Sequence, residues 1–206
     1  MDGQGLDGQG PDGQRAVDWA RAEWLNPPPA ATADGDGLDV AARGRSDFWR
    51  TTSYGFVRDD GHALLTAFPP GSAVEVTFVA RFEELYDQAG VMVRVDERNW
   101  IKAGIEMSDG VAHLGAVVTR ELSDWSLSPV PEWAGRHVTV RVSRAGDAVT
   151  VRARCDDGPW RLVRLAPLDA DAAASAGPFC CSPQREGLRV RFTGFTTGPA
   201  DSALHT

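Results

Sequence analysis

Residues 99–107, Asn-Trp-Ile-Lys-Ala-Gly-Ile-Glu-Met, place the chain's single lysine, Lys102, four positions before a carboxylate, Glu106. Side chains alternate between the two faces of a β-strand, so 102, 104 and 106 share one face and 101, 103 and 105 the other. One face then presents an ammonium and a carboxylate on either side of Gly104, a donor and an acceptor for a polar ligand, and the opposite face is apolar. Composition sharpens this reading. The chain prefers Arg to Lys and Val to Ile so strongly that its rare residues carry information. Both of its isoleucines (Ile101, Ile105) and one of its two asparagines (Asn99) fall in the same segment, and Tyr86-Asp87-Gln88 adds one of two tyrosines and one of two glutamines beyond residue 14. Core packing accounts for the isoleucines. An arginine would solvate a surface strand equally well, so the lone lysine reads as a requirement for a compact ammonium.

Register follows from parity, because a one-residue slip sends every side chain to the wrong face. Val91, Val93 and Val95 must share a face with Ile101, Ala103 and Ile105, which asks for a loop with an odd number of residues. A loop from Val95 to Asn99 sets Arg94 opposite Trp100 and Gln88 opposite Glu106; a three-residue loop also keeps the core in phase. A two-residue Asp109-Gly110 turn pairs Ile105 with Leu114 and Ile101 with Val118. The polar face then falls into rows: Arg94, Trp100, Thr119; Met92, Lys102, Val117; Gly90, Gly104, Gly115; Gln88, Glu106, His113. Glycine weakens a strand interior, so three abreast imply that something approaches the backbone closely, either a ligand in a shallow trench or a covering loop or neighbouring strand.

Other chemistry has less behind it. Glycoside hydrolysis needs two carboxyl groups; Glu106 is one candidate, and Glu121 or Asp124 would have to reach in from a loop. His62, His113 and His137 show no short ligand spacing with Asp, Glu or Cys, so no metal site is expected. Cys180-Cys181 near Arg185 reads as buried, reduced thiols before it reads as a nucleophile. Trp49, Tyr54, Trp100 and Trp125 have the ring faces that pack on sugar C–H surfaces, whereas Trp160 and Trp133 are expected in the core.

The elements that must position these residues are strands. Many Val, seven Trp and eight Phe stand between frequent Gly and Pro. Alternating runs occupy 73–82, 88–95, 100–107, 112–120, 137–143, 148–155, 160–165 and 188–196, separated by turn signals such as Asp59-Asp60-Gly61 and Ala145-Gly146-Asp147. About ten antiparallel strands predict an all-β sandwich or jelly roll. A short helix at 18–25 is stopped by Asn26-Pro27-Pro28-Pro29, or Trp24 leads into an edge strand; 169–174 suits one helical turn. Three Asp-Gly-Gln repeats at 2–4, 7–9 and 12–14 read as a disordered tail over 1–15. A single domain is expected over 16–198, with a flexible C-terminal tail at 199–206.

The formal net charge of −8, with cations scattered among acidic residues, speaks against a nucleic-acid partner. No apolar run approaches membrane length, and the N-terminus lacks a basic and then apolar leader. With an odd number of cysteines, three, two of them adjacent, a reducing cytoplasm is the expected setting. No cofactor is implied, and the oligomeric state is left open.

Three stretches carry a resemblance: Asp47-Phe48-Trp49-Arg50 through Tyr54-Gly55-Phe56 to Arg58-Asp59; Tyr86 to Gly90 through Arg94, Asp96, Asn99 to Lys102, Gly104 to Glu106, Asp109-Gly110, Val118 to Arg120 and Ser123 to Ser126; and Gly177-Pro178 through Cys180 to Pro183 and Arg185 to Gly187. From about Trp24 to Phe195 the chain resembles domain-of-unknown-function family 1349, some of whose members carry a label referring to regulation of enolase. The resemblance implies a concanavalin A-like sandwich, a fold shared by lectins and glucanases, although the Glu-x-Asp-x-x-Glu strand similar to a glucanase signature is missing. It gives weight to Trp49, Tyr54, Gln88, Arg94, Trp100, Lys102, Glu106, Arg120, Asp124 and Trp125, and supplies no catalytic assignments. Together with Gly90, Gly104, His113 and Gly115 these form the candidate ligand-binding set. The leading expectation is a domain that binds a carbohydrate or other polar small molecule in a groove on one sheet. The alternatives are a glycan-active enzyme using Glu106 and a protein-interaction or metabolic regulatory module.

Overall fold

The computed structural model describes residues 13–35 and 37–204. The expected N-terminal tail through residue 12, and the last two residues of the expected C-terminal tail, lie outside the described residues. Seventeen strands are present among the described residues: β1 (Arg15–Ala16), β2 (Glu23–Leu25), β3 (Ala30–Asp34), β4 (Gly37–Ala41), β5 (Phe48–Arg50), β6 (Val57–Asp59), β7 (His62–Ala67), β8 (Ser72–Val79), β9 (Gln88–Arg94), β10 (Asn99–Ser108), β11 (Val111–Arg120), β12 (Leu122–Pro129), β13 (His137–Ala145), β14 (Ala148–Cys155), β15 (Arg161–Pro167), β16 (Ser175–Cys181) and β17 (Arg189–Pro199). They form a larger sheet in the order β15-β14-β13-β8-β17-β4-β3, with β1 also on β17, a seven-stranded sheet in the order β12-β11-β10-β9-β16-β7-β2, and the hairpin β5-β6.

The two sheets pack face to face as an antiparallel sandwich. Its core takes the alternating residues that parity predicts: Val74, Val76, Phe78, Val140 and Phe192 from the larger sheet meet Val91, Ile101, Ile105 and Leu114 from the seven-stranded one. No helix among the described residues is long and apolar enough to cross a membrane.

The register around the polar face is the one read from sequence. Trp100 pairs with Arg94, and Glu106 with Gln88 and His113. Asp109 and Gly110 both have positive φ, 50° and 77°, making the expected two-residue turn. Gly90, Gly104 and Gly115 lie abreast. The cause of that row is the approach of the strands themselves. A Cβ on Gly104 would strike the carbonyl oxygen of Ala89, one on Gly90 that of Ala103, and one on Gly115 that of Ser126 and the side chain of Leu127. Leu127 and Phe179 border what is left, a depression of only about 20 Å³.

Several local expectations change. Over 18–25 the chain makes a single 3₁₀ turn, Trp19–Arg21, capped by the Asp18 side chain, and then enters β2, whose Trp24 pairs with Leu64. No helix forms over 169–174. The strand β16, hidden in sequence by Gly177-Pro178, lies between β9 and β7; its ladder to β7 skips 177 and 178, where the proline has no N–H to donate. Trp133 is buried as expected, but Trp160 is 37% exposed, at the entrance to the edge strand β15 with the Arg154 guanidinium 4.6 Å from its ring centre. Beyond β17, Asp201 is held by Arg141 and Arg152 on the larger sheet.

Candidate functional site

The outer face of the seven-stranded sheet, away from the main core, is crossed by the β5-β6 hairpin. The hairpin lands on the Trp100 row because that row has the partners for it. Arg94 grips Asp59 with both guanidinium nitrogens, at 2.5 and 2.7 Å, and the Ser123 hydroxyl accepts from the Arg50 amide at 2.9 Å. Beneath it Phe48, Trp49, Met92, Trp100, Phe179 and Cys181 make a second apolar cluster. The loop joining the two strands runs through positive φ at Thr51, Ser53 and Gly55, which throws Tyr54 and Phe56 outward, stacked 5.6 Å apart.

Where the hairpin stops, a cavity of about 230 Å³ opens over the Lys102 and Glu106 rows. Lys102 and Glu106 line its base, with Val117 and Gln88 beside them. Trp49 meets Tyr54 edge-on at 5.5 Å and Trp125 at 6.1 Å, and Trp125 meets Tyr86 at 6.4 Å. The Tyr86 and Tyr54 hydroxyls lie 3.3 Å apart, so four rings form a closed circuit. Arg45, Asp47, Phe56, Arg58, Pro183 and Gln184 complete the lining. The loops bearing them are tied down: the Arg45 amide donates to the Ser182 carbonyl at 2.7 Å, and Arg185 holds the fully buried Asp87, next to Tyr86, at 2.7 Å.

The two charged groups at the base differ. The Lys102 side chain is almost wholly buried and its Nζ lies 2.8 Å from Asp47 Oδ1. Burial opposes its charge, but Asp47 overrides that and holds the ammonium above its ordinary pKa. Glu106 is 9% exposed, and its Oε1 has no hydrogen-bond partner among the described residues. Burial pushes it up to about 7, against the pull of Lys102. An ammonium fixed by one carboxylate and a second carboxyl left without a donor make a site that can offer and accept hydrogen bonds at neutral pH. Tyr86 is pushed up to about 12 by the Tyr54 hydroxyl and by burial, so it remains a neutral hydroxyl.

Of the candidate set, Trp49, Tyr54, Gln88, Lys102, Glu106 and Trp125 come together on this lining. Gly104 and Gly115 line only the small depression alongside, and Gly90 is sealed against β10. Trp100 is covered by Phe48, ring centres 6.0 Å apart, and Arg94 is spent on Asp59. His113 shares the Glu106 row but directs Nδ1 to the Val111 carbonyl at 3.0 Å. Arg120 donates to the Pro167 carbonyl and Asp124 pairs with Arg164, both at the sandwich edge. His62 engages backbone on both ring nitrogens, and burial keeps it neutral. The three thiols are free and buried, and burial pushes Cys180 up to about 12.

Sequence reasoning missed Arg45, Asp47, Phe56, Arg58, Tyr86 and Gln184 as lining residues, because all of them arrive from loops or the hairpin. One signal would have found two of them. The chain's only lysine, both of its tyrosines and both of its glutamines beyond residue 14 converge on this one cavity.

The chain is similar to "Regulation of enolase protein 1" of Saccharomyces cerevisiae, 38% identical over 190 residues that span 92% of this chain and 96% of that one. A crystal structure titled as a functionally unknown protein from the same yeast superposes with a TM-score of 0.85 at 35% identity, covering 90% of this chain and all of the other. Lectin I-B4 of Griffonia simplicifolia shares the fold at a TM-score of 0.56 and 11% identity, over 87% of this chain and 93% of the lectin. Residues 24–200 match the family described as protein of unknown function (DUF1349), and the chain belongs to that family.

Proposed function

We propose that the cavity on the seven-stranded sheet binds a carbohydrate or another small hydroxylated molecule. The observation that carries this reading is the closed circuit of Trp49, Tyr54, Tyr86 and Trp125 over a buried Glu106 carboxyl that lacks a partner. Ring faces pack against sugar C–H groups, and an unpaired acceptor in a low-dielectric site gains from a ligand hydroxyl that supplies the missing hydrogen bond. The fold it shares with a lectin is compatible with such a role, and the three unpaired thiols support a reducing, cytoplasmic setting. A thermal-shift screen of monosaccharides, oligosaccharides and polar metabolites tests it, since a ligand that binds only the native state raises apparent stability. A hit should be lost in Trp125→Ala and in Glu106→Leu. A screen without hits, or hits indifferent to both variants, would overturn the reading.

A second reading, a glycan-active enzyme, is favoured by one specific finding. Asp47 supplies the second carboxyl group that the sheet face lacks, bound to Lys102 at 2.8 Å, while burial disposes Glu106 to keep a proton. Two carboxyl groups in divergent environments are what acid-assisted glycoside cleavage requires. Release of reducing ends from a bound glycan, lost in Glu106→Gln with binding retained, is the expected result for this reading. Binding without release leaves the first.

A further inference from the structure

The cavity is electropositive in a protein that is not, and from this we infer that its ligand is an anionic sugar, a pyranose carrying a carboxylate or a phosphate. The inference rests on the sugar-binding reading and adds the ligand's charge. The lining has three cations, Arg45, Arg58 and Lys102, against two carboxyl groups, Asp47 and Glu106, in a chain of formal net charge −8. Lys102 and Asp47 neutralise one another at 2.8 Å. Glu106, buried without a donor, carries its negative charge at a cost in this setting, so the charge left over at the cavity is that of Arg45 and of Arg58, the second met only by Asp60 at 3.5 Å.

Those arginines are presented to the cavity by backbone. Arg45 is exposed and held at φ 62°, between a Ser182 contact on its amide and an Arg58 Nη1 contact at 3.1 Å on its carbonyl. No hydrogen bond or ion pair occupies its guanidinium among the described residues. Arg58 leans over the Phe56 ring at 6.0 Å and has only a loose pair with Asp60 at 3.5 Å. Guanidinium groups favour planar, bidentate anions. A sugar carboxylate or phosphate can take the arginines while the ring lies against the aromatic walls and a hydroxyl donates to Glu106 Oε1. The same lining disfavours an amino sugar, whose ammonium would enter a site that already holds Lys102.

The test is titration calorimetry on the full chain with matched pairs: glucose with glucuronate, galactose with galacturonate, and glucose with glucose 6-phosphate, adding glucosamine as the cationic control. At least one anionic member should bind about tenfold or more tightly than its neutral partner. That preference should shrink as salt rises and disappear in the double variant Arg45→Gln, Arg58→Gln, in which the anionic and neutral member of each pair bind alike. The stronger of uronate and phosphate identifies the anion. Equal or tighter binding of the neutral sugars, or a preference for glucosamine, would overturn the charge inference and leave the sugar reading standing. No binding by any of these sugars would overturn both.

Discussion

One face of one sheet ends in two different ways. At the Trp100 end, the β5-β6 hairpin is bound by Arg94 to Asp59 and Ser123 to Arg50, and Phe48 covers the indole. A few residues along the same strand, over Lys102 and Glu106, the hairpin stands off the sheet and lines a cavity with Trp49, Tyr54, Phe56 and Arg58. The strands, their spacing and their alternation are shared. The difference lies in what covers them, and it decides whether a polar side chain becomes structure or site. Arg94 spends two hydrogen bonds on one carboxylate, whereas Glu106 keeps a buried oxygen unbonded, the feature on which the proposed binding site rests.

The largest expected effect breaks the sealed end. Trp100→Ala removes a ring that is 2% exposed and leaves a cavity beneath Phe48, which should cost about 3–5 kcal/mol in denaturant unfolding. Trp100→Phe should cost much less, because the indole Nε1 has no acceptor among the described residues and its loss strands nothing. A small effect of the alanine variant would mean that the hairpin does not rely on this row.

At the open end, Lys102→Met leaves the Asp47 carboxylate without its cation in a largely buried place. A surface lysine would tolerate that change within half a kcal/mol or so, but breaking a buried pair from one side should cost roughly 3 kcal/mol. Asp47→Asn with Lys102→Met should recover part of the loss, and a double-mutant cycle of chemical denaturation measures the coupling.

Glu106 sharpens the contrast through pH. Its carboxyl titrates near 7 in the fold against an ordinary 4.5. Below pH 4.5 both states hold the proton and nothing is lost. Between 4.5 and 7 the unfolded chain releases it first, so stability falls with rising pH, by up to about 3 kcal/mol, and levels off above 7. Glu106→Gln should remove this component and be the more stable protein at pH 8, as read from unfolding midpoints at pH 5 and pH 8. Equal pH slopes in the two proteins would show that Glu106 is solvated after all.

The sealed and open ends were also unequally legible in sequence. Parity, together with one Asp-Gly turn, registered β10 on β11 and fixed which residues of β9 face the core, but left two loop lengths between β9 and β10, of which the structure has the longer. The rarity of Lys, Tyr and Gln singled out Lys102, Tyr86 and Gln88 without any geometry, but Tyr86 was not placed at the site and Gln184 was passed over. What sequence could not place was the hairpin. Its loop is built on positive φ at Thr51, Ser53 and Gly55, two of them residue types that rarely adopt it, so no pattern announces the turn. Without the hairpin Asp47 has no location, and Lys102 looks like a solvent-facing ammonium. The glycine row shows the converse: its placement was legible, and of the causes left open, a ligand, a covering loop or a neighbouring strand, the structure shows close contact between adjacent strands.

The smallest expected effect concerns a residue that belongs to the shared motif yet lies at neither end. Asp124 pairs across β12 with Val118, on the core side of the sheet, but β12 is an edge strand and the side chain emerges past the sandwich. There its Oδ2 takes Arg164 of β15, the edge of the opposite sheet, at 2.8 Å, while Arg120 reaches the Pro167 carbonyl at 2.7 Å. These two contacts stitch the sheet edges together. The Asp124 side chain is 68% exposed, so water and salt screen the pair, and Asp124→Asn should change stability by no more than about 0.5 kcal/mol. Ligand affinity at the cavity should not change, since Asp124 is not among its lining residues. Measured in high salt, where the wild-type pair is already screened, the difference should vanish. A loss above about 1 kcal/mol would instead place the edge stitch with the Arg94–Asp59 lock, as an ion pair on which the hold between two elements depends.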